Sequence, residues 1–420
     1  MGYDVTDHTS VVEWLFDGEP LATSLCLIAI FLACPAVLMQ VIPRTPVLRK
    51  VTFVPFLFLL PMILSSLGII PDSYPLYKPL QSTSLYMAIF FMVLAIDVAR
   101  ILRSLATRIL LLFLIGCLGT AAGSILAHAL FAPLIGSESS AMIAACMSAA
   151  YTGGSMNWAA VSEAIEVPDS LNATAFPAMV IMYTLYLGGL LALDNSPLRP
   201  LLERWIGATS SDEVVRDDVS RDDIRSGELP ATAVVGGESH AVPKREDYIN
   251  GFLAFSIVYL ASSVLEQWVN DLAFIPLVIF LTTFAILLGA RAPRMRFAAV
   301  GRLGNLSTFG EASLYFLLGI IGAQASLSGS LLHAPVLLLI PTVVIIVHAL
   351  VLLLAARLLK VDLTTATIVS IAAIGGAASA PAAAGALRAP ELIPLGVLLG
   401  SLGYALGTYL GVYLGLLLLG

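Results

Sequence analysis

Charged residues are too scarce along most of this chain, and too concentrated in one stretch, for a water-soluble fold. Of its 21 basic and 28 acidic residues, 7 basic and 12 acidic lie between Asp194 and Asp247. Apolar residues make up 59% and charged residues 12% of the chain, against about 45–50% and about 25% in a typical globular protein. The remaining sequence must therefore face lipid. It has no basic face, which excludes nucleic acid as a partner.

Apolar segments lie on both sides of the charged stretch, six in each half, and most are long enough for a crossing, which needs about 20 residues. A glycine pair interrupts the fifth segment of each half, as Gly153-Gly154 and Gly375-Gly376. The segments cover about 21–41, 51–70, 83–102, 108–132, 139–166 and 171–193, and then 250–269, 272–290, 308–325, 334–358, 361–387 and 391–419.

The few basic residues between these segments predict their orientation, because Lys and Arg accumulate in cytoplasmic loops. The first loop is basic and lies inside, so the acidic N-terminus, residues 1–20, lies outside. Both flanks of 139–166 lack Lys and Arg and lie outside, whereas both flanks of 361–387 are basic and lie inside. Each of these two segments therefore enters and leaves on one face. The basic residues used here are Arg44, Arg49, Lys50, Arg357, Lys360 and Arg388.

The sequence thus predicts an all-α integral membrane protein with two inverted repeats. Each repeat has five transmembrane helices plus a re-entrant hairpin with the glycine pair at its tip. The repeats cover 21–193, with its hairpin at 139–166, and 250–420, with its hairpin at 361–387; their glycine motifs lie at an offset near 222. Residues 194–249 form a charged cytoplasmic linker. Both termini lie outside, in a multi-pass plasma membrane of the bacterial inner type.

The two tips are the predicted binding site, because broken helices at matching positions of inverted repeats mark the sites of transporters. A glycine pair frees backbone N–H and C=O groups and allows close approach of a ligand. The helix that follows each tip directs its N-terminus at an anionic group. Candidate residues for substrate and ion are Tyr151, Thr152, Gly153, Gly154, Ser155 and Asn157 in the first hairpin, and Gly375, Gly376, Ser379 and Pro381 in the second.

The hydroxyl and carbonyl oxygens at these tips suit a hard cation, so Na⁺ is the one expected ion and no other cofactor is expected. Its candidate ligands are Thr152, Ser155, Asn157 and Ser379. Isolated polar residues within apolar segments are further candidates for ion coupling or for the site. These are Asp97, Glu163, Glu311, Gln324, Tyr404 and Thr408.

Structural roles compete with these functional interpretations. Asp97 lies three residues before Arg100 and would pair with it, and a glycine pair alone permits close helix packing. His348 is interpreted as a core histidine whose hydrogen bonds are satisfied within the protein. The four cysteines lie within apolar segments and are expected to be buried hydrophobes.

The glycine motifs also resemble a known family. Tyr151-Thr-Gly-Gly-Ser-Met-Asn-Trp, Ile374-Gly-Gly-Ala-Ala-Ser-Ala-Pro and the tail from Pro394 to Tyr409 resemble the YjcL-like membrane family, domain of unknown function 819. More distantly, paired glycine hairpins in inverted repeats are similar to the sodium:glutamate symporters and the 2-hydroxycarboxylate transporters. That resemblance implies a homodimer with a scaffold and a mobile core that moves as an elevator. It assigns 152–157 and 375–379 to substrate and sodium, but the tips differ from those families and the substrate does not transfer.

Together these features predict a cation-coupled secondary transporter, driven by Na⁺, for a small organic anion, amino acid or short peptide. The expected partners are this small-molecule substrate, the lipid bilayer and a second copy of the chain. A proton-coupled carrier that uses Asp97, Glu163 or Glu311 is one alternative, and a membrane receptor or scaffold is another. No Ser/His/Asp constellation or metal-spaced His pair occurs in the sequence, so an enzyme is not expected.

Overall fold

The computed structural model describes residues 20–41, 54–96, 98, 101–102, 105–194, 196–207, 245–269, 276–291, 306–325 and 335–420. Within these ranges the chain forms α-helices joined by short turns, and no residue in them is assigned to a strand. This confirms the predicted all-α class. Asp97, nearly all of the N-terminal segment 1–20 and most of the linker 194–249 lie outside the described residues.

Fourteen α-helices follow one another in the described part of the chain. A 3-10 turn, Pro390–Leu392, leads into the last of them. The helices are α1 (Pro20–Val41), α2 (Val54–Ser66), α3 (Tyr77–Leu94), α4 (Thr107–Ile135), α5 (Ser137–Gly153), α6 (Ser155–Ala164), α7 (Asp169–Leu193), α8 (Arg199–Ile206), α9 (Arg245–Val269), α10 (Leu277–Arg291), α11 (Ser307–Gln324), α12 (Pro335–Leu359), α13 (Leu363–Ala386) and α14 (Ile393–Leu419).

Five of the described helices, α4, α7, α9, α12 and α14, can cross a membrane by their length and composition. Each has at least 25 residues, more than the roughly 20 that span the hydrocarbon layer. Shorter apolar helices occur within α1, α2, α10 and the first part of α13. These helices support the prediction of a multi-pass membrane protein.

The chain divides into two compact units, and each unit takes segments from both halves of the sequence. Unit 1 comprises the described parts of Met1–Leu85, Pro168–Thr184 and Ala312–Leu338. Unit 2 comprises the described parts of Tyr86–Val167, Leu185–Glu311 and Leu339–Gly420. The compact units are thus not the two predicted repeats, and the repeats stay a prediction.

Aromatic rings fill the core of unit 1. Phe31 of α1 packs edge-on against Tyr77 of α3 and Phe316 of α11, with ring centroids 5.6 and 5.8 Å apart. Offset and edge-to-face contacts are the geometries that aromatic pairs favour. The buried side chains of this core are Leu27, Phe31, Ile70, Tyr77, Phe316, Ile320 and Ala323.

In unit 2, glycines on one face of α4 let α12 approach very closely. A Cβ added at Gly119 would lie 2.9 Å from Cβ of Val351, and one at Gly123 would lie 2.9 Å from Cα of Val344. Small residues bring membrane helices together in this way, because packing replaces the hydrophobic effect in lipid. The contact places the polar side chains of α4 and α12 within hydrogen-bonding distance of each other.

Candidate functional site

The first glycine pair ends one helix and begins the next. α5 ends at Gly153 and α6 begins at Ser155, and the intervening Gly154 has φ +92° and ψ −178°. Residues with a Cβ rarely adopt this conformation, whereas glycine adopts it without steric cost. The N–H of Gly154 donates to the carbonyl of Ala150 at 2.7 Å and closes the last turn of α5. The break leaves the first amide groups of α6 without helical partners.

The chain reverses direction at this break. From Gly403 to Gly415, α14 contacts residues of α5 with successively lower residue numbers and residues of α6 with successively higher ones. The two helices therefore lie antiparallel against one stretch of α14, as a helical hairpin with Gly154 at its tip. A Cβ at each glycine would meet Thr152 at Gly403, Ala149 and Asn157 at Gly407, Ala149 and Val161 at Gly411, and Ala145 and Ile165 at Gly415.

The second glycine pair breaks α13 with the same backbone conformation. Gly376 has φ +71° and ψ −169°, and it follows Gly154 by 222 residues. Leu363 and Thr367 of the first arm line a single small cleft together with Leu387, which follows the second arm. In an unbroken helix, Leu363 and Leu387 would be about 36 Å apart. The two arms of α13 therefore also fold back on each other.

The two tips meet at the ring of Tyr404 in α14. A Cβ at Gly376 would lie 3.1 Å from both Cε1 and Oη of Tyr404 and 3.3 Å from the carbonyl oxygen of Gly153. A Cβ at Gly154 would lie 3.6 Å from Cε1 of Tyr404 and 3.9 Å from the carbonyl oxygen of Gly375. The predicted site member Tyr404 thus contacts both breaks, and the peptide groups of the tips face each other beside its ring.

Asn157 and Thr408 connect the first hairpin to α14. The Asn157 amide donates to the carbonyl of Gly403 at 3.0 Å, and its Oδ1 accepts from the Thr408 hydroxyl at 3.1 Å. Both side chains are fully buried. A buried amide with a donor and an acceptor bond positions the helix that carries it, so Asn157 holds α6 in place, a role that its prediction as a ligand did not include.

The other predicted tip residues differ in how much of their side chain is engaged. Thr152 is fully buried and its hydroxyl donates to the carbonyl of Ser148 at 2.8 Å, which leaves the oxygen able to accept or to bind a cation. Ser155, the first residue of α6, is only half-buried. Ser379 is buried in the second arm. Pro381 lies five residues beyond Gly376 and has no N–H to donate to the carbonyl four residues before it.

The remaining candidates lie away from the tips or in the other unit. Glu163 is near the end of α6 and accepts from the Tyr86 hydroxyl at 3.4 Å, at the open end of the first hairpin. Glu311 is half-buried near the start of α11 in unit 2. Gln324 ends α11 and belongs to unit 1. None of these contacts brings the carboxylate of Glu163 or Glu311 to the glycine breaks in the described structure.

A buried polar cluster behind the first tip was only partly predicted. Thr120 donates to the carbonyl of Tyr151 at 3.3 Å, and its hydroxyl lies 2.9 Å from Nδ1 of His348. Nε2 of His348 lies 3.0 Å from the Ser370 hydroxyl. The prediction that His348 has its hydrogen bonds satisfied within the protein agrees with these contacts. The signal for Thr120 and Ser370 was a lone hydroxyl within an apolar helix, which is too common to single them out.

The arrangement at the tips offers backbone carbonyls, amide groups at helix starts and hydroxyls, and its described side chains are uncharged. Oxygen donors of this kind suit hard cations. The N-termini of the helices that follow the tips favour an anionic group. These groups are chemically suited to a cation and to an anionic group, and neither would meet a fixed counter-charge on the described side chains.

Comparison with known proteins covers nearly the whole chain. A family model described as "Protein of unknown function (DUF819)" matches residues 28–420, which include both breaks. The uncharacterized membrane protein YjcL of Bacillus subtilis (strain 168) is 27% identical over 351 residues, which are 81% of this chain and 83% of YjcL. These matches confirm the resemblance that the glycine motifs indicated.

Proposed function

The chain belongs to the DUF819 family, and from that premise we propose that it is a secondary transporter whose substrate binds between the two glycine tips. The meeting of both breaks at Tyr404 is the observation that carries this proposal. Broken helices in membrane proteins form binding sites because their freed peptide groups need partners other than lipid. Two such breaks beside one ring concentrate these groups in a small volume.

The proposed coupling ion is Na⁺ and the proposed substrate is a small organic anion, amino acid or short peptide. The side chains at the tips are uncharged, so a lone ion entering them would lose its hydration without gaining a counter-charge. A cation and an anionic group that enter together neutralise each other. The carbonyl of Gly153 and the hydroxyls of Thr152, Ser155 and Ser379 would hold the cation, while the helix starts would hold the anionic group.

In this proposal both broken segments are re-entrant hairpins that enter the membrane from opposite faces within inverted repeats. The basic residues that flank only the second hairpin support that orientation. Unit 2, which contains both hairpins, would be the mobile core of an elevator-type homodimer, and the cytoplasm would contain the charged linker. The protein would act by binding and moving its substrate without altering it chemically.

Uptake into liposomes tests the coupling. Purified protein, reconstituted and supplied with an inward Na⁺ gradient, should accumulate at least one labelled solute from a panel of organic anions, amino acids and short peptides. Accumulation should stop when K⁺ replaces Na⁺. Equal uptake in K⁺ would reject sodium coupling, and no uptake or binding across the panel would reject the proposed substrate class.

A matched pair of threonine variants tests the location of the site. Thr152 and Thr184 each donate their hydroxyl to the carbonyl four residues earlier, both at 2.8 Å, but only Thr152 lies at a tip. Thr152→Val should raise the Na⁺ concentration needed for half-maximal uptake by about tenfold, the loss of roughly one ligand bond, while Thr184→Val should not. Equal effects of the two variants would place the cation elsewhere.

Proton coupling is a second candidate, favoured by the hydrogen bond between Glu163 and Tyr86. A carboxyl group inside a membrane protein can carry a proton between the two sides. In that case a pH gradient should drive uptake without Na⁺, and Glu163→Gln should abolish the gradient's effect while substrate binding persists. Unchanged pH-driven uptake in Glu163→Gln would exclude Glu163 as the carrier.

A further inference from the structure

A continuous chain of buried hydrogen bonds connects the first glycine tip with the first arm of α13. Its centre is His348 of α12, which is fully buried. Nδ1 of His348 lies 3.0 Å from the carbonyl of Gly116 and 2.9 Å from the hydroxyl of Thr120. Nε2 lies 3.0 Å from the hydroxyl of Ser370, which is in turn 2.8 Å from that of Tyr186.

The acceptors in this series of hydrogen bonds determine which atoms carry its protons. A carbonyl oxygen only accepts, so Nδ1 must carry the proton and donate towards Gly116 and Thr120. In a neutral ring Nε2 then accepts from Ser370, and Ser370 accepts from Tyr186. The hydroxyl of Thr120 is left to donate to two carbonyls, that of Gly116 at 3.1 Å and that of Tyr151 at 3.3 Å. Each of these groups obtains a partner in one consistent direction, from Tyr186 to Tyr151.

We propose that His348, as the neutral Nδ1–H tautomer, is the positioning residue that holds the first glycine tip in register with the first arm of α13. It acts through Thr120 on the carbonyl of Tyr151, three residues before Gly154, and through Ser370 on α13. The His348 ring lies directly against α4 because α4 and α12 pack closely together. A Cβ at Gly116 would lie 3.4 Å from Cε1 of His348. These contacts support the role of His348 whether or not the protein is a transporter.

The groups that face His348 support a neutral ring. Tyr186 of α7 packs edge-on against it, with centroids 6.5 Å apart. Two further titratable side chains belong to residues next to this series of hydrogen bonds, namely Cys117, which follows Gly116 in α4, and Tyr151 of α5, whose carbonyl accepts from Thr120. These phenols and this thiol are uncharged at neutral pH, and α13 contributes the hydroxyl of Ser370. A charged imidazolium would therefore lack a counter-charge among the described groups around it.

Nitrogen NMR of the histidines tests the tautomer directly. The chain has 5 histidines, so full-length protein labelled with ¹⁵N-histidine in lipid bilayers gives a simple spectrum. The signal lost in His348→Gln should show a protonated Nδ1 and an unprotonated Nε2, and it should stay so as the pH falls from 8 to 6. Ser370→Ala should shift its Nε2 signal, which also assigns the signal if His348→Gln does not fold. A protonated Nε2 in the wild-type protein would overturn the proposal.

Hydrogen exchange tests the coupling to the tip. In His348→Leu, peptides that cover 148–158 should exchange about tenfold faster, because the tip carbonyl loses its indirect support. Peptides from the first arm of α13 should also exchange faster. Ser124→Ala is the matched control, since Ser124 is a buried hydroxyl of α4 for which the structure assigns no hydrogen bond. Unchanged exchange at the tip in a folded His348→Leu, or equal acceleration in Ser124→Ala, would contradict the proposed role.

Discussion

The two glycine breaks share one backbone conformation but differ in what surrounds it. The first tip reads Tyr151-Thr-Gly-Gly-Ser-Met-Asn, and the corresponding residues 222 positions later read Ala373-Ile-Gly-Gly-Ala-Ala-Ser. The first stretch thus contains several hydroxyl and amide groups, whereas the second is mainly apolar and has Ser379 as its one hydroxyl residue. Both nevertheless contact the same ring, Tyr404.

The two breaks therefore differ in whether polar side chains or close packing dominates their surroundings. At the first break, side chains provide oxygen atoms and the Asn157 amide fixes α6 to α14. At the second break, Gly376 packs against Tyr404 and Gly400, which lie one turn apart on α14. At the breaks themselves, we therefore expect the loss of a polar side chain to cost more at the first, and a Cβ added to the central glycine to cost more at the second.

Among the variants considered, the largest loss of stability is expected where the backbone of α14 closely approaches the first tip. A Cβ at Gly403 would collide with the carbonyl of Thr152 and lie 3.0 Å from Cα of Gly153. Gly403→Ala should lower the free energy of unfolding by about 3 kcal/mol, because a well-packed contact has no room for the added carbon. Denaturation of the purified protein in mixed micelles measures this loss.

Gly385→Ala is the control for Gly403→Ala. Gly385 is exposed near the end of α13, and a Cβ there would meet no atom within 4 Å. It should change stability by less than about 1 kcal/mol, and in the stabilising direction, since alanine favours a helix. Equal losses in the two variants would show that α14 does not approach the first tip as closely as described.

Removal of the hydrogen bonds of Asn157 gives the next largest expected loss of stability. Asn157→Ala leaves the carbonyl of Gly403 and the hydroxyl of Thr408 without this partner, so a loss of about 2 kcal/mol is expected. Ser379, the corresponding residue of the second break, has a smaller side chain, and Ser379→Ala should cost about half as much. Thermal unfolding of both variants measures the difference. A larger loss for Ser379→Ala would show that polar side chains contribute more to stability at the second break than at the first.

The sequence predicted the breaks but not their surroundings. Gly153-Gly154 and Gly375-Gly376 were recognised as interruptions because glycine pairs within apolar segments are conspicuous, and both breaks lie where they were predicted. Tyr404 and Thr408 became candidates because they are polar residues within an apolar segment. These features depend on local residue type and helical spacing, which a single sequence displays directly.

The roles of Asn157 and His348 could not be predicted in the same way. Asn157 bonds to a residue 246 positions away, and His348 to one 228 positions away. Such pairs depend on which helices pack together, and hydropathy does not encode this. The division into compact units, each of which combines segments from both halves of the chain, depends on the same packing.

The positive φ of Gly154 and Gly376 predicts a smaller loss of stability on substitution by alanine, and the size of this loss distinguishes the two breaks. Alanine at either position is strained, which costs about 1–2 kcal/mol. A Cβ at Gly376 also meets Tyr404 at 3.1 Å, whereas the nearest atom to one at Gly154 is at 3.6 Å. Gly376→Ala should therefore unfold at a lower temperature than Gly154→Ala, and the opposite order would show that the second break is the looser of the two.

The smallest expected effect concerns the start of the second hairpin. Asp362 caps α13, and its Oδ1 accepts the N–H of Thr365 at 2.9 Å, while Gly136 gives α5 no side-chain cap. Asp362→Ala should cost about 1 kcal/mol, the usual value of an N-cap. Asp362→Asn keeps the accepting oxygen and should cost less than half as much. The cap acts on the first turn of α13 alone, so neither change should alter hydrogen exchange in peptides that cover 148–158. Faster exchange there in Asp362→Ala would mean that the two hairpins are coupled along their whole length and not at their tips.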